Sequence, residues 1–225
     1  MRKKLRSWIM TFILIMVLIM IMTSCSTLPD RIDTVNGSPG VPGEMDILDA
    51  PTAPESETAS NTLSAFKTAL EVLEAVKGRD YPLLASHAHP EKGIIFSPDA
   101  YVDYQEDSVF TAEQITEFGS GAIYDWGYYD VSDEPLKLTA DEYFTHYVYN
   151  KEFLSCRQIG VNSIIWSGNC PENVAEAFPD SIFVDFHDEG TEELDGIDWS
   201  SLKIVMEPYN GMFKVVAIIN SGYTL

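Results

Sequence analysis

Asp185-Phe186-His187 is the constellation in this chain most able to do chemistry. Side chains alternate along a strand, so Asp185 and His187 share one face with Phe183. A carboxylate beside an imidazole can orient it as a general base. On an outward face the same two residues are an ordinary exposed pair. His146 is another imidazole that could partner His187. Hydrolysis would also need a nucleophile, and no G-x-S-x-G, Walker or H-E-x-x-H pattern is present.

Metal chemistry has two candidate segments. His87-Ala88-His89-Pro90-Glu91 contains H-x-H. Zinc needs ligands that converge tetrahedrally with a second shell behind them. Hydrolases that use H-x-H follow it with an Asp-His pair, and here Glu91-Lys92 follows. The segment reads as a helix end, where His complements the C-terminal dipole. Between Asp185 and Asp198 lies the densest acidic stretch, with Asp188, Glu189, Glu192, Glu193 and Asp195. Aligning Gly190 with the EF-hand glycine puts Gly196 where that loop requires Glu. A solvated loop is expected, and neither a metal nor a cofactor is expected.

Aromatic residues offer a different chemistry. Tyr124, Trp126 and Tyr128 alternate along one strand face, and Tyr101 and Tyr143 could complete a cavity with them. Such a stripe packs a core or lines a ligand pocket. Both readings stand at this point.

These groups need elements to position them. Residues 62–225 read as one domain. Leu63, Phe66, Leu70 and Leu73 make a helical stripe ended by Lys77-Gly78. Asp80 can cap a short second helix. Ile94–Phe96 and Tyr101–Tyr104 read as short strands around Ser97-Pro98-Asp99. Thr111-Ala112-Glu113-Gln114 and Thr139-Ala140-Asp141-Glu142 are capping boxes opening two more helices. Strands follow near Ile159–Trp166, Ser181–His187, Leu202–Glu207 and Met212–Ile219, with Asn210-Gly211 as a hairpin turn between the last two. The final strand is apolar on both faces, so it is expected to be central. The fold class is therefore α+β, with N-terminal helices packed on a curved, mostly antiparallel sheet.

This element order resembles the nuclear transport factor two-like superfamily, which implies a cone of curved sheet wrapped by helices. That superfamily hosts enzymes, binding domains and interaction modules, so the fold alone implies no activity. A second resemblance rests on His89-Pro90-Glu91-Lys92-Gly93, Phe96-Ser97-Pro98, Trp126-Gly127, Leu138-Thr139, Glu142-Tyr143, Gly168-Asn169 and Asp198-Trp199-Ser200-Ser201-Leu202. These segments are similar to a group of uncharacterised bacterial lipoproteins from Gram-positive lineages. The group implies a location and a layout, and brings no known activity.

The N-terminus supports the same location. Arg2, Lys3, Lys4 and Arg6 precede an apolar run from Ile9 to Met22, and Thr23-Ser24-Cys25 follows. A basic region, an apolar region and small residues make an export signal. The ending resembles the lipobox, with Met22 where Leu is usual. The lipobox implies that residues 1–24 are removed and that Cys25 carries diacylglycerol. The rival is an uncleaved span, although the apolar run is short of the roughly 20 residues a span needs. Either reading places the remainder outside the cytoplasm of a bacterial cell membrane.

Residues 25–61 are expected to be a disordered tether. They hold five prolines, abundant Ser and Thr, an acidic excess and no aromatic residue. Such a stretch buries too little apolar surface to offset its ordering entropy. A flexible coil of this length averages roughly 30–36 Å end to end. Loss of residues 1–24 removes four basic residues and no acid, so the formal charge moves from −21 to −25. That argues against nucleic acid as a partner. With Cys25 lipidated, Cys156 and Cys170 remain in a disulfide-permissive compartment. A bridge between them is expected, closing a loop worth about 3 kcal/mol in the chain-entropy model.

Function narrows to three expectations. The first is a lipid-anchored extracytoplasmic binding or interaction module. The second is a small exported hydrolase using His187 and Asp185. The third is a structural component of the envelope.

Overall fold

Helix α1 (Glu55–Gly78) begins ahead of the expected domain start at residue 62. The computed structural model describes residues 55–129 and 134–223. Cys25, the signal at 1–24 and the tether up to residue 54 lie outside them. Residues 57–61 of α1 are solvent-exposed, which is why no apolar pattern announced them. Glu57 sits near the start of the helix, where the dipole favours acids. The buried stripe is Ala65, Ala69, Val72, Leu73 and Val76, while Leu63 is exposed and Phe66 and Leu70 are only partly buried. The contact face is thus rotated toward the alanines.

Helix α2 (Tyr81–His87) starts where Asp80 accepts from the Leu83 N–H, with Pro82 in its first turn. Helix α3 (Ala112–Thr116) and helix α4 (Ala140–Tyr143) open on the two expected capping boxes, each with both reciprocal bonds in place. A π turn, Phe144–Val148, continues α4. Helix α5 (Val174–Ala177) is a single turn in the segment between two strands.

The main sheet has six strands in the order β2-β1-β8-β7-β6-β5. They are β1 (Ile94–Ser97), β2 (Ser108–Phe110), β5 (Gln158–Val161), β6 (Ile182–Asp188), β7 (Ser200–Tyr209) and β8 (Met212–Gly222). β1 and β8 pair in parallel, and the other paired strands of the described residues are antiparallel. β3 (Ile123–Tyr128) and β4 (Pro135–Thr139) form a separate hairpin. The β7–β8 turn has Asn210 at φ 50° and Gly211 at φ 79°, the paired left-handed conformations that suit a tight hairpin. β8 is central and buried on both faces, as its composition required.

Two strand expectations need correction. Tyr101–Tyr104 is a loop, and β1 pairs with Ser108–Phe110 instead. β5 ends at Val161, because Asn162 turns the chain at φ 51°. The α+β class and the mostly antiparallel sheet stand.

Each face of the sheet has its own cover. One carries Val184, Phe186, Leu202, Ile204 and Ile218 into a core shared with α1 and α2. The centre of that core is aromatic: Phe96, Phe110, Phe118, Trp126, Tyr143 and Phe144. The other face packs Phe183, Val205, Ala217 and Ile219 against Val174 and Phe178 from the segment between β5 and β6. Toward the start of β7 and the end of β8 this second face becomes polar.

Candidate functional site

Asp185 and His187 lie on that second face, side by side as expected, and both are buried. Cross-strand register places Asp185 opposite Lys203 and His187 opposite Ser201. Asp185 Oδ2 accepts from the Ile165 N–H at 2.9 Å. His187 Nδ1 is 2.8 Å from Ser201 Oγ. Lys203, fully buried, donates to Glu172 Oε1 at 2.9 Å and Ser221 Oγ at 2.7 Å. Glu172 Oε2 and Asp185 Oδ1 have no hydrogen-bond partner among the described residues.

Burial sets the chemistry of these groups. It lowers the His187 pKa, opposed by the nearby Asp185 and Asp188 charges. It raises the Asp185 pKa, opposed by Lys203. Ser201 is completely buried, so in this arrangement its hydroxyl cannot meet a substrate. The cluster joins three strands to the β5–β6 segment through Glu172 and Ile165. A small cleft of about 170 Å³ touches His187 beside Cys156. Burial raises the Cys156 pKa, which keeps it a thiol rather than a nucleophilic thiolate. His146 is exposed on the π turn.

The other motifs have local structural roles. His87 Nε2 lies 3.7 Å from Glu71 on α1. His89 Nδ1 accepts from the N–H groups of Glu91 and Lys92, closing a turn before β1. The two imidazoles of H-x-H therefore serve different neighbours. In the acidic loop, Asp198 accepts from the Thr191 N–H and from Lys151 Nζ. Among the described residues no group of three or more His, Cys, Asp or Glu side chains is placed to hold a metal ion.

The expected Cys156–Cys170 bridge is absent. Cys170 Sγ donates to the Gly222 carbonyl at 3.0 Å, at the end of β8. Cys156 Sγ faces the Gln158 carbonyl on edge strand β5. Two strands separate β5 from β8, and neighbouring strands are about 4.8 Å apart. The cysteines are therefore held beyond the roughly 7 Å Cα separation that a disulfide tolerates. Alkylating the denatured protein without reductant should add two labels at Cys156 and Cys170. Labelling only after reduction would contradict the arrangement.

The aromatic stripe divides into core and surface. Trp126 and Tyr143 are buried and stacked, with ring centroids 3.9 Å apart at 7°. Trp126 Nε1 donates to the Leu138 carbonyl at 3.0 Å. Tyr124 is half-buried against Phe110 and Phe118. The alternation then breaks, because β3 bulges between Asp125 and Tyr128. Gly127 sits at φ 105°, and a Cβ there would lie 3.0 Å from the Glu106 carbonyl. This close approach turns Tyr128 away from the core and toward the loop after β1.

Tyr128 and Tyr101 meet at an open cleft of about 500 Å³. Tyr129, Tyr147 and Tyr223 also line it, as do Asp99, Asp103 and Glu106. Tyr147 stacks on Tyr143 at 5.1 Å, so one aromatic column runs from Trp126 in the core to the cleft wall. Tyr147, Tyr129 and Tyr223 carry no local signal of this role. They come from separate elements that only the tertiary fold brings together.

Long-range bonds hold the cleft wall in place. Asn173 accepts from the Val102 N–H at 2.8 Å and donates to the Val102 carbonyl at 2.9 Å. Asn220 donates to the Pro98 carbonyl, and Tyr104 donates to the Ala177 carbonyl. Tyr101 therefore sits on a braced loop. A preformed site avoids the entropy cost of ordering on binding.

Asp107 supports this loop by accepting from the Asp103 N–H at 2.9 Å. Burial raises its pKa to about 7, and the charges of Asp99 and Asp103 push the same way. A carboxyl with a raised folded pKa binds its proton more tightly in the folded state. Its contribution is thus present at low pH and is lost as pH rises from about 4 through about 7. Asp107→Asn should flatten that part of the stability–pH curve in urea melts. An unchanged slope would exclude Asp107 as its source.

A second hollow, of about 790 Å³, is largely apolar and lies between Leu63 and Phe66 of α1 and Ile159 and Val161 of β5. No helix of the described residues is long and apolar enough to cross a membrane.

No family model matches the chain. No curated protein matches it either. Among solved structures it is similar to one described as a calcium/calmodulin dependent protein kinase II association domain from Xanthomonas campestris. The identity is 13%, the TM-score is 0.28, and the match covers 81% of this chain and 97% of that one. A likeness at that score carries no argument about this chain.

Proposed function

We propose that this protein is a lipid-anchored extracytoplasmic binding module, with the tyrosine-lined cleft as its ligand site. Cys25 would carry the lipid, and the stretch up to α1 would hold the domain away from the bilayer of a bacterial cell membrane. The cone arrangement of the nuclear transport factor two-like superfamily is the finer fold assignment we favour, supported by helices preceding a mostly antiparallel sheet.

One observation carries the reading. Residues from five separate parts of the fold converge on a braced cleft of about 500 Å³ with half-exposed aromatic walls. That volume suits a small ligand or a short peptide end. The Asp185–His187 cluster, by contrast, is buried, binds the Ile165 N–H and, through Lys203, Glu172, and is better suited to holding the β5–β6 segment on the sheet.

Two experiments test the two halves. A clickable fatty acid should label the wild-type protein in cells and leave Cys25→Ala unlabelled. Label on that variant would sink the anchor. A thermal-shift screen that includes cell-wall fragments should find compounds that raise the melting temperature, because a specific ligand stabilises the folded state by mass action. The shifts should vanish in Tyr101→Ala/Tyr128→Ala. Shifts that survive in this variant would place binding elsewhere.

A further inference from the structure

We infer that the cleft takes an organic cation, with a substituted ammonium group as the recognised part. The inference rests on the cleft being the ligand site and adds the chemical class of the ligand.

The rings supply the first argument. Tyr101, Tyr128, Tyr129 and Tyr223 have no ring partner among the described residues, although the buried aromatics nearby are paired many times over. Tyr147 alone is backed by another ring, Tyr143. The cleft is thus lined by tyrosines whose rings the fold leaves unpaired. An aromatic face carries negative quadrupole charge and attracts a cation placed over it. Several faces around one cavity are the arrangement that holds alkylated ammonium groups, which shed water more readily than a bare ion.

Charge supplies the second. Asp99, Asp103 and Glu106 line the same cleft, and none of its described lining residues is Lys, Arg or His. The chain as a whole has a formal net charge of −21. A low-dielectric cleft lined by one sign of charge concentrates ligands of the other sign and repels like-charged ones. An anionic ligand would meet three carboxylates with no cation to receive it.

Donor geometry separates an organic cation from a metal ion. A hard cation needs several oxygens converging at bonding distance. Asp103 Oδ1 instead accepts from the Gln105 N–H at 2.8 Å, within its own loop. The carboxylates supply field, and the rings supply contact.

The test uses the full-length protein purified in detergent, titrated calorimetrically at low and moderate salt. The probes are choline, spermidine and 3,3-dimethyl-1-butanol, the neutral carbon counterpart of choline. At least one ammonium probe should bind, and choline should bind at least tenfold more tightly than the neutral alcohol. Tyr128→Leu and Asp103→Asn should each weaken the ammonium probe several-fold, and added salt should weaken it further. Tyr128 is 44% exposed, so its replacement leaves the core intact. Equal binding of the alcohol and choline, or failure of both ammonium probes, would overturn the cationic class. If neutral or anionic fragments still bind at Tyr101 and Tyr128, the cleft remains the ligand site without that class. If nothing binds there, both readings fall together.

Discussion

Lys203→Ala is expected to remove about 3–5 kcal/mol of folding stability, the range for breaking a buried ion pair from one side. Lys203 is fully buried, and the Glu172 side chain that receives it is 5% exposed. Removing the ammonium leaves Glu172 and Asp185 as carboxylates in a dry environment, each already with one oxygen lacking a partner among the described residues. Burial raises both pKa values, and Lys203 is the chief opposing influence on each. Without it both carboxyls would hold protons to higher pH. The loss should therefore grow as pH rises and shrink toward pH 5, because protonation relieves the unpaired charge. Urea melts of wild type and variant at pH 5 and pH 8 would measure it. Lys203→Met with Glu172→Gln should recover part of the loss. A pH-independent difference under 1 kcal/mol would refute the role assigned to the pair. Glu172 adjoins Cys170 and Pro171 of the cleft lining, so slackening here would also loosen the ligand site.

Trp126→Ala should cost a similar amount, about 3–5 kcal/mol, for a different reason. Its indole is fully buried, lies against Tyr143 and touches Phe96, Phe110 and Phe118. Truncation would lose that apolar burial and leave a cavity at the centre of the aromatic core. It would also leave the Leu138 carbonyl without the indole donor. Trp126→Phe should lose markedly less, since a ring still fills most of the site. The cleft lies one ring beyond, because Tyr143 stacks on both Trp126 and Tyr147. Trp126→Ala is thus expected to weaken ligand binding as well as stability. A variant that melts like wild type would refute the packing described.

Local signals were legible in the sequence. Both capping boxes, the Asp80 cap and the Asn210-Gly211 turn form as their residue types demand, because each is satisfied within a few residues. β8 was legible as central because its apolar residues fall on both faces. Features set by distant partners were not legible. Tyr101–Tyr104 carries strand-favouring Tyr and Val beside a turn, yet Asn173, far along the chain, takes up the Val102 backbone bonds that pairing would have used. The export compartment and the pair of cysteines left after Cys25 suggested a bridge, and only the strand order shows that β6 and β7 stand between the two thiols. Asp185 and His187 were visible as neighbours on one face. Their partner Lys203 was not, because cross-strand register decides it.

The candidate site shows the same division. Of the five aromatic residues read as core or pocket, Tyr101 and Tyr128 line the cleft, while Trp126 and Tyr143 are buried in the core. What separated them was the bulge at Gly127. A Gly beside a Trp in a short strand is the one local hint that alternation would break there.

The most direct test of the central claim is where a ligand sits. A compound that stabilises the protein in the thermal-shift screen should be co-crystallised with it. Its density is expected in the cleft, against Tyr101, Tyr128 and Tyr147, with any positive group toward Asp99, Asp103 or Glu106. Density beside His187, or in the apolar hollow between α1 and β5, with the tyrosine cleft empty, would contradict it.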